Sequence, residues 1–170
     1  MNDIGKAVIM YPSLAQERRF VLRLYEYWMT LRGDREMPAH RDVDFAAMGE
    51  DADYCVMLTI ADDHGTVVLS SIGRQLRPDG WRDVTGGLLA DCPAGEALAT
   101  IGQHLKQTLE RRAPVSHGGH FTVRGTEVLG RAILVPLSDD GVTITHVLAG
   151  ANFKDAIDDD AAAAQKAVGL

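Results

Sequence analysis

One helical pattern divides the strand patterns of this chain into two before it and three after it. Between Asp91-Cys92 and Pro114, the stretch Pro93–Arg112 places Ala94, Ala97, Leu98, Ile101, Leu105 and Thr108 on a common face. That is the three-to-four spacing of a helix burying one side. Asp91 stands at the N-cap position with Pro93 in the first turn. Arg111 and Arg112 lie at the C-terminal end, where the helix dipole favours cations, and Pro114 stops the helix. The reading is an α+β domain in which this helix packs on a sheet, with any binding site between the two.

The strands follow from composition and punctuation. Tyr54–Ala61 and Thr66–Ile72 are rich in β-formers and flank an Asp62-Asp63-His64-Gly65 turn, so they predict a hairpin. From Gly73 to Asp91 the pattern is broken by Pro78, Gly80, Gly86 and Gly87, with one-turn helices expected near Arg74–Leu76 and Trp81–Leu89. A stretch of this kind against a core is a common pocket wall and equally a plain connection. Val115–Val123, Glu127–Leu137 and Val142–Phe153 predict three more strands, the last two joined by a turn at Ser138–Gly141. Along the last strand Ile144, His146 and Leu148 share one face, and Thr145, Val147 and Ala149 the other.

A second helix precedes the sheet. Ser13 is placed as its N-cap, Leu14–Arg32 as its body and Gly33 as its C′ residue. It carries two apolar stripes, Phe20-Leu24-Tyr27-Leu31 and Val21-Tyr25-Trp28, widened by Leu22 and Met29. One surface needs one stripe. The second stripe is therefore assigned to a homodimer or partner interface through Val21, Tyr25, Trp28 and Met29; coverage by later residues of the same chain is the competing reading. The expected organisation is a lead-in over 1–12 with a short strand pattern at Ala7–Met10, the helix over 13–33, a domain over 34–153 and an Asp- and Ala-rich tail over 154–170.

Bulk properties narrow the class. At 170 residues and 46% hydrophobic content the chain supports one core. Its net charge of −7, with no long basic run, argues against a nucleic-acid surface. No apolar run reaches the roughly 18 residues of a membrane span, and Lys6 is followed by only Ala7–Met10 before the apolar run ends, too little for a secretory signal. Cys55 and Cys92 lack metal-ligand spacing and read as free thiols. A cytoplasmic protein is expected. In the Pro-containing connector 34–45, Asp42 and Asp44 are expected to cap a turn at Phe45–Met48 or to pair with Arg35 or Arg41.

The order strand, strand, short helices, long helix, three strands resembles that of the PAS fold, a five-stranded antiparallel sheet with helices on one face. Tyr27-Trp28-Met29-Thr30-Leu31-Arg32-Gly33 and Met37-Pro38-Ala39-His40-Arg41-Asp42-Val43-Asp44 resemble the N-terminal signature of a group of bacterial stand-alone PAS-like proteins. Ile72–Leu76, Asp83–Gly86 and Arg131–Gly141 are similar to later segments of that group, so the resemblance spans about residues 20–153. Met48–Asp53 is acidic where the group carries an apolar run, and Thr66–Ile72 replaces a Tyr-Arg-rich stretch. The resemblance implies a sensory or protein-interaction module and no particular cofactor, since PAS domains bind haem, flavin, organic acids or nothing.

Candidate chemistry is sparse. The resemblance makes His104 comparable to an axial haem histidine; a packed helix histidine is the plain alternative. Cys92, between Asp91 and Pro93, does not fit the Asn-Cys-Arg-Phe-like helix of flavin photochemistry. His117 and His120 on a strand point to opposite faces and cannot chelate without a bulge, which Gly118-Gly119 could supply; with no third ligand in view, no metal site is assigned. Ser70-Ser71 and Ser116-His117 lack a nucleophile elbow, and no phosphate-binding loop occurs, so no catalytic residue is assigned. A small ligand between helix and sheet would meet Ile101, His104, Leu105, His146 and Trp81. The expectation is a non-catalytic sensory module signalling through helix-mediated dimerisation, or else a ligand-free adaptor docking on a signalling protein.

Overall fold

The computed structural model describes residues 15–61, 65–78 and 83–155. The expectations placed on Ala7–Met10, Ser13, the Asp62–His64 turn, Trp81 and the tail beyond 155 lie outside these residues. Helix α1 (Ala15–Arg32) leads into strands β1 (Cys55–Ile60) and β2 (Val67–Ile72). Helices α2 (Ala97–Gly102) and α3 (Leu105–Arg111) follow, then β3 (Val115–Val123), β4 (Thr126–Leu137) and β5 (His146–Asp155). The five strands form one antiparallel sheet in the order β2-β1-β5-β4-β3. Strand β5, last in sequence, lies at the centre, between β1 and β4.

Both faces of the sheet are covered. Residues directly paired across an antiparallel ladder share a face, so Leu148, Gly150, Met57, Cys55, Val135 and Ile133 lie on one side. Helix α1 packs there, on β4 and β5. Gly150 makes room for it: a Cβ at this position would sit 2.7 Å from Phe20 Cζ. Helices α2 and α3 cover the opposite face, which carries His117 and Phe121. A strand buried on both sides has no solvent side to alternate toward, and β4 is accordingly buried without a break from Gly130 to Leu137.

This burial corrects the reading of α1. Val21 is fully buried and Trp28 is 3% exposed, both within the chain's own core. The Trp28 indole Nε1 donates to Pro136 O at 2.8 Å. Neither side chain is available to a partner. Tyr25 and Met29 are half-buried against the same core. The connector after Gly33 covers one flank of the helix. Arg23 binds both oxygens of Asp51, at 2.7 and 2.8 Å, and Tyr27 Oη accepts from Asp44 N at 2.8 Å. Val43, Phe45 and Met48 pack on the core here. The second stripe is thus explained in large part by later residues of the same chain. Asp42 accepts from Ala39 N and pairs with Arg35, both at 3.0 Å, and Asp44 caps the following turn through Ala46 N.

The central helix is shorter than its periodicity predicts and is interrupted. Residues before Ala97 are held elsewhere: Gly95 adopts φ +89°, its carbonyl accepts from Thr122 N at 2.8 Å, and Glu96 bridges to Thr122. Helix α2 then ends at Gly102, a poor helix former whose neighbour Leu89 leaves little space for a side chain. His104 N turns to the three-residue bond with Ile101 O before α3 resumes. Arg112, in the left-handed conformation at φ +53°, closes α3.

The segment between β2 and β3 also covers both sheet edges, which would otherwise present open hydrogen-bonding groups. Leu69 exchanges backbone bonds with Gly86 and Gly87 along β2, and Gly95-Glu96 lies along β3. Strand β5 begins at His146, four residues later than expected. Asp140 Oδ1 accepts from Val142 N, Thr143 N and Ser138 Oγ at 2.7–3.0 Å, which holds the chain in a loop. At its other end β5 continues to Asp155, two residues into the expected tail. Among the described residues no helix is long and apolar enough to cross a membrane.

Candidate functional site

A groove of about 730 Å³ runs along α3 among the described residues. The residues follow from the fold. The inward side of α3 gives Leu105 and Leu109, and Gly102 opens the helix break above them. The 3-10 turn Leu89–Asp91 gives Leu89 and Ala90, the start of β2 gives Val67, and the loop before β5 gives Val142, Thr143 and Ile144. Aliphatic side chains thus make the floor and walls. Lys106, Glu110 and Arg112 stand at the rim. Lys106 pairs with Glu110 at 3.9 Å and Arg112 with Glu36 at 2.9 Å. Both are exposed pairs of the kind worth well under about 1 kcal/mol, so these cations can change partner at little cost. The volume falls in the range of small-molecule pockets, and a few polar groups at an apolar concavity are their common design.

The residues expected to meet a ligand do not share one site. Leu105 lines the groove; Ile101 is fully buried in the core one turn earlier. His104 occupies the break between α2 and α3, where its ring stacks on His117 with centroids 3.5 Å apart. His146 faces away from α2 and α3: its ladder partners Thr59 and Leu137 put it on the α1 side of the sheet. The expected alignment of Ile144 with His146 fails because Ile144 precedes the strand. Val67, Leu89, Leu109 and the 142–144 loop carry no site expectation, and no local signal marks them, since four separate segments build the groove.

The His104–His117 stack has a marked electrostatic character. Neither ring nitrogen of His117 has a hydrogen-bond partner among the described residues. Burial, then His104 and Arg131, pull the His117 pKa from 6.5 down to about 3. Burial lowers His104 as well. His117 therefore folds as the neutral imidazole. Between pH 6.5 and 3 the unfolded chain binds a proton that the folded chain does not, so stability is full above 6.5 and falls with acidification. The slope from this group is about 1.4 kcal/mol per pH unit. Urea unfolding from pH 7.5 to 5 is expected to lose this component in His117→Gln; an identical pH slope in both proteins would contradict the assignment.

His120, on the opposite face of β3, instead pairs with Glu127 at 2.6 Å. Ser70 is hydrogen-bonded to Thr59. Cys55 and Cys92 are free; burial raises both thiol pKa values, and the buried Cys55 thiol donates to Asp51 O.

A second cluster lies at the end of the sheet. His40 opens a 3-10 turn (His40–Asp42), Asp139 follows β4, and His146 begins β5. His40 Nδ1 is 2.8 Å from both Asp139 oxygens, and His40 N donates to Oδ1 at 3.0 Å. Burial works to raise Asp139, but these bonds from His40 outweigh it and hold the carboxyl below its ordinary value. Burial, and then His40, lower His146.

No protein-family model and no curated protein matches the sequence. Solved structures do. A sensory box sensor histidine kinase from Vibrio cholerae aligns over 59% of this chain and 82% of its own at 12% identity and TM-score 0.41. A sensory box histidine kinase/response regulator from Burkholderia thailandensis aligns over 74% and 96% at 12% identity and TM-score 0.43. The PAS domain of Bordetella pertussis BvgS aligns over 68% and 84% at 16% identity and TM-score 0.33. Strand order, register and the placement of α2 and α3 between β2 and β3 carry the assignment here: the chain has a PAS-like fold.

Proposed function

We propose that the protein is a non-catalytic sensory module that takes a small, largely apolar molecule with an anionic end into the groove along α3. The groove carries this reading: about 730 Å³, aliphatic within, with Lys106 and Arg112 at its rim. A ligand there would touch the loop that leads into β5, and β5 supports α1 on its other face through Gly150. Binding and release thus bear on how α1 sits on the sheet. This replaces a purely helix-borne signal, since Val21 and Trp28 belong to the core. A thermal-shift series from octanoate to dodecanoate tests the reading. A ligand at a hundred times its Kd adds about 2.7 kcal/mol of stability, so the melting temperature is expected to rise with chain length. A flat series would count against the groove as an apolar-acid site.

A further inference from the structure

His40, Asp139 and His146 bring two imidazoles and one carboxylate together from three separate segments of the chain. One ligand atom from each lies within 4.8 Å of the others. The Asp139 carboxylate is 2.8 Å from His40 Nδ1 and 3.9 Å from His146 Nδ1. In a tetrahedral zinc site with bonds of about 2.0–2.1 Å, donor atoms sit roughly 3.3–3.5 Å apart. The two observed separations bracket that spacing.

We propose that His40, Asp139 and His146 are a binding site for a divalent transition-metal ion of the zinc type. Imidazole nitrogen with a single carboxylate suits zinc, cobalt, nickel or copper, whereas calcium and magnesium call for a shell of oxygens.

The surroundings suit this use. His146 is the anchor, its side chain 13% exposed, while His40 and Asp139 are 44% and 32% exposed, so remaining coordination positions face water. The backbone bond from His40 N fixes Asp139 Oδ1, so that an ion taking the place of the proton between His40 Nδ1 and Oδ2 meets an oriented carboxylate. Thr145 Oγ1 accepts from Asp139 N at 3.3 Å and lies 3.0 Å from His146 Nδ1, a contact that holds the two residues in register without the ion and gives way when Nδ1 ligates it. The His40 and His146 rings stack with centroids 3.9 Å and planes 12° apart. An ion must lie in the plane of each ring that ligates it, so the stack opens on binding. His40, the exposed ring, turns without loss of core packing. An ion held here ties the connector after α1 to the β4–β5 loop.

The test is titration of the tag-free full chain, stripped with a chelator, with Co²⁺. One equivalent is expected to produce the intense d–d absorption of a four- or five-coordinate site, and Zn²⁺ is expected to displace it. His40→Gln, Asp139→Asn and His146→Gln should each weaken Co²⁺ binding at least tenfold, while His120→Gln, at a different exposed histidine–carboxylate pair, should leave it unchanged. Because His40 is exposed, His40→Gln is expected to keep the melting temperature of the metal-free protein, which separates loss of a ligand from loss of the fold. Absence of the d–d band, or a Co²⁺ affinity that His40→Gln and His146→Gln leave intact, would overturn the site.

Discussion

Replacing Trp28 with alanine is expected to lower the unfolding free energy by about 3–5 kcal/mol, the range for deleting a large buried aromatic. The indole is 3% exposed and its Nε1 donates to Pro136 O at 2.8 Å, so truncation opens a cavity and strips a central strand of a hydrogen bond. Arg32 also lies over the ring, 5.3 Å from its centroid. Trp28→Phe separates the parts: it keeps most of the apolar surface and loses the bond, for about 1–3 kcal/mol. Denaturant unfolding of the two variants gives both figures. A Trp28→Ala protein as stable as the wild type would return this residue to an interface role and detach α1 from the core.

Gly73→Ala is expected to cost about 3 kcal/mol, at the upper end of ordinary overpacking. The backbone angles of Gly73, φ −63° and ψ 149°, are open to any residue. The constraint is space: a Cβ there would lie 2.4 Å from Asp53 O and 2.5 Å from Ala52 O. Both obstacles are backbone, so neither can swing aside as a side-chain tip would. Gly73 N also donates to Cys55 O at 2.7 Å, and the clash would pull β1 and β2 apart where they meet the 3-10 turn Gly49–Tyr54. A melting temperature unchanged in Gly73→Ala would show that this approach is looser than described.

Those two residues mark what sequence can and cannot convey. The apolar periodicity of Phe20, Val21, Leu24 and Trp28 is plain, and so is Gly33 as the helix stop, at φ +59°. The pattern identifies what must be buried and not what buries it. The second stripe of α1 therefore fits a partner as well as the chain's own strands and connector. The stretch Glu127–Leu137 reads as a strand, and burial on both faces explains why Ala132–Leu137 shows no alternation. The break in the central helix was written as Gly102 and His104, yet propensity alone does not outweigh a strong apolar face. It took the hold of Thr122 on Gly95, remote in sequence, to fix the start of α2. The late start of β5 is likewise set by Asp140, a loop residue whose three hydrogen bonds cost the strand its first turn of pairing. The candidate sites were the least legible. His40 meets Asp139 across a separation of 99 residues, with His146 beside them, and the groove is assembled from four segments, none with a motif.

The proposed binding of a small amphipathic molecule in the groove along α3 can be followed directly. Its most direct measurement is an equilibrium titration with 8-anilinonaphthalene-1-sulfonate, whose aromatic body and sulfonate match an aliphatic groove with a cationic rim. Leu109 lines the groove without being fully buried, so Leu109→Trp fills the space while leaving the core in place. Leu22→Ala, at a residue 39% exposed on α1, is the control for unspecific apolar binding. Saturable binding of one probe per chain is expected, unchanged in Leu22→Ala and lost in Leu109→Trp. Binding that does not saturate, or that Leu109→Trp leaves as it was, would contradict it.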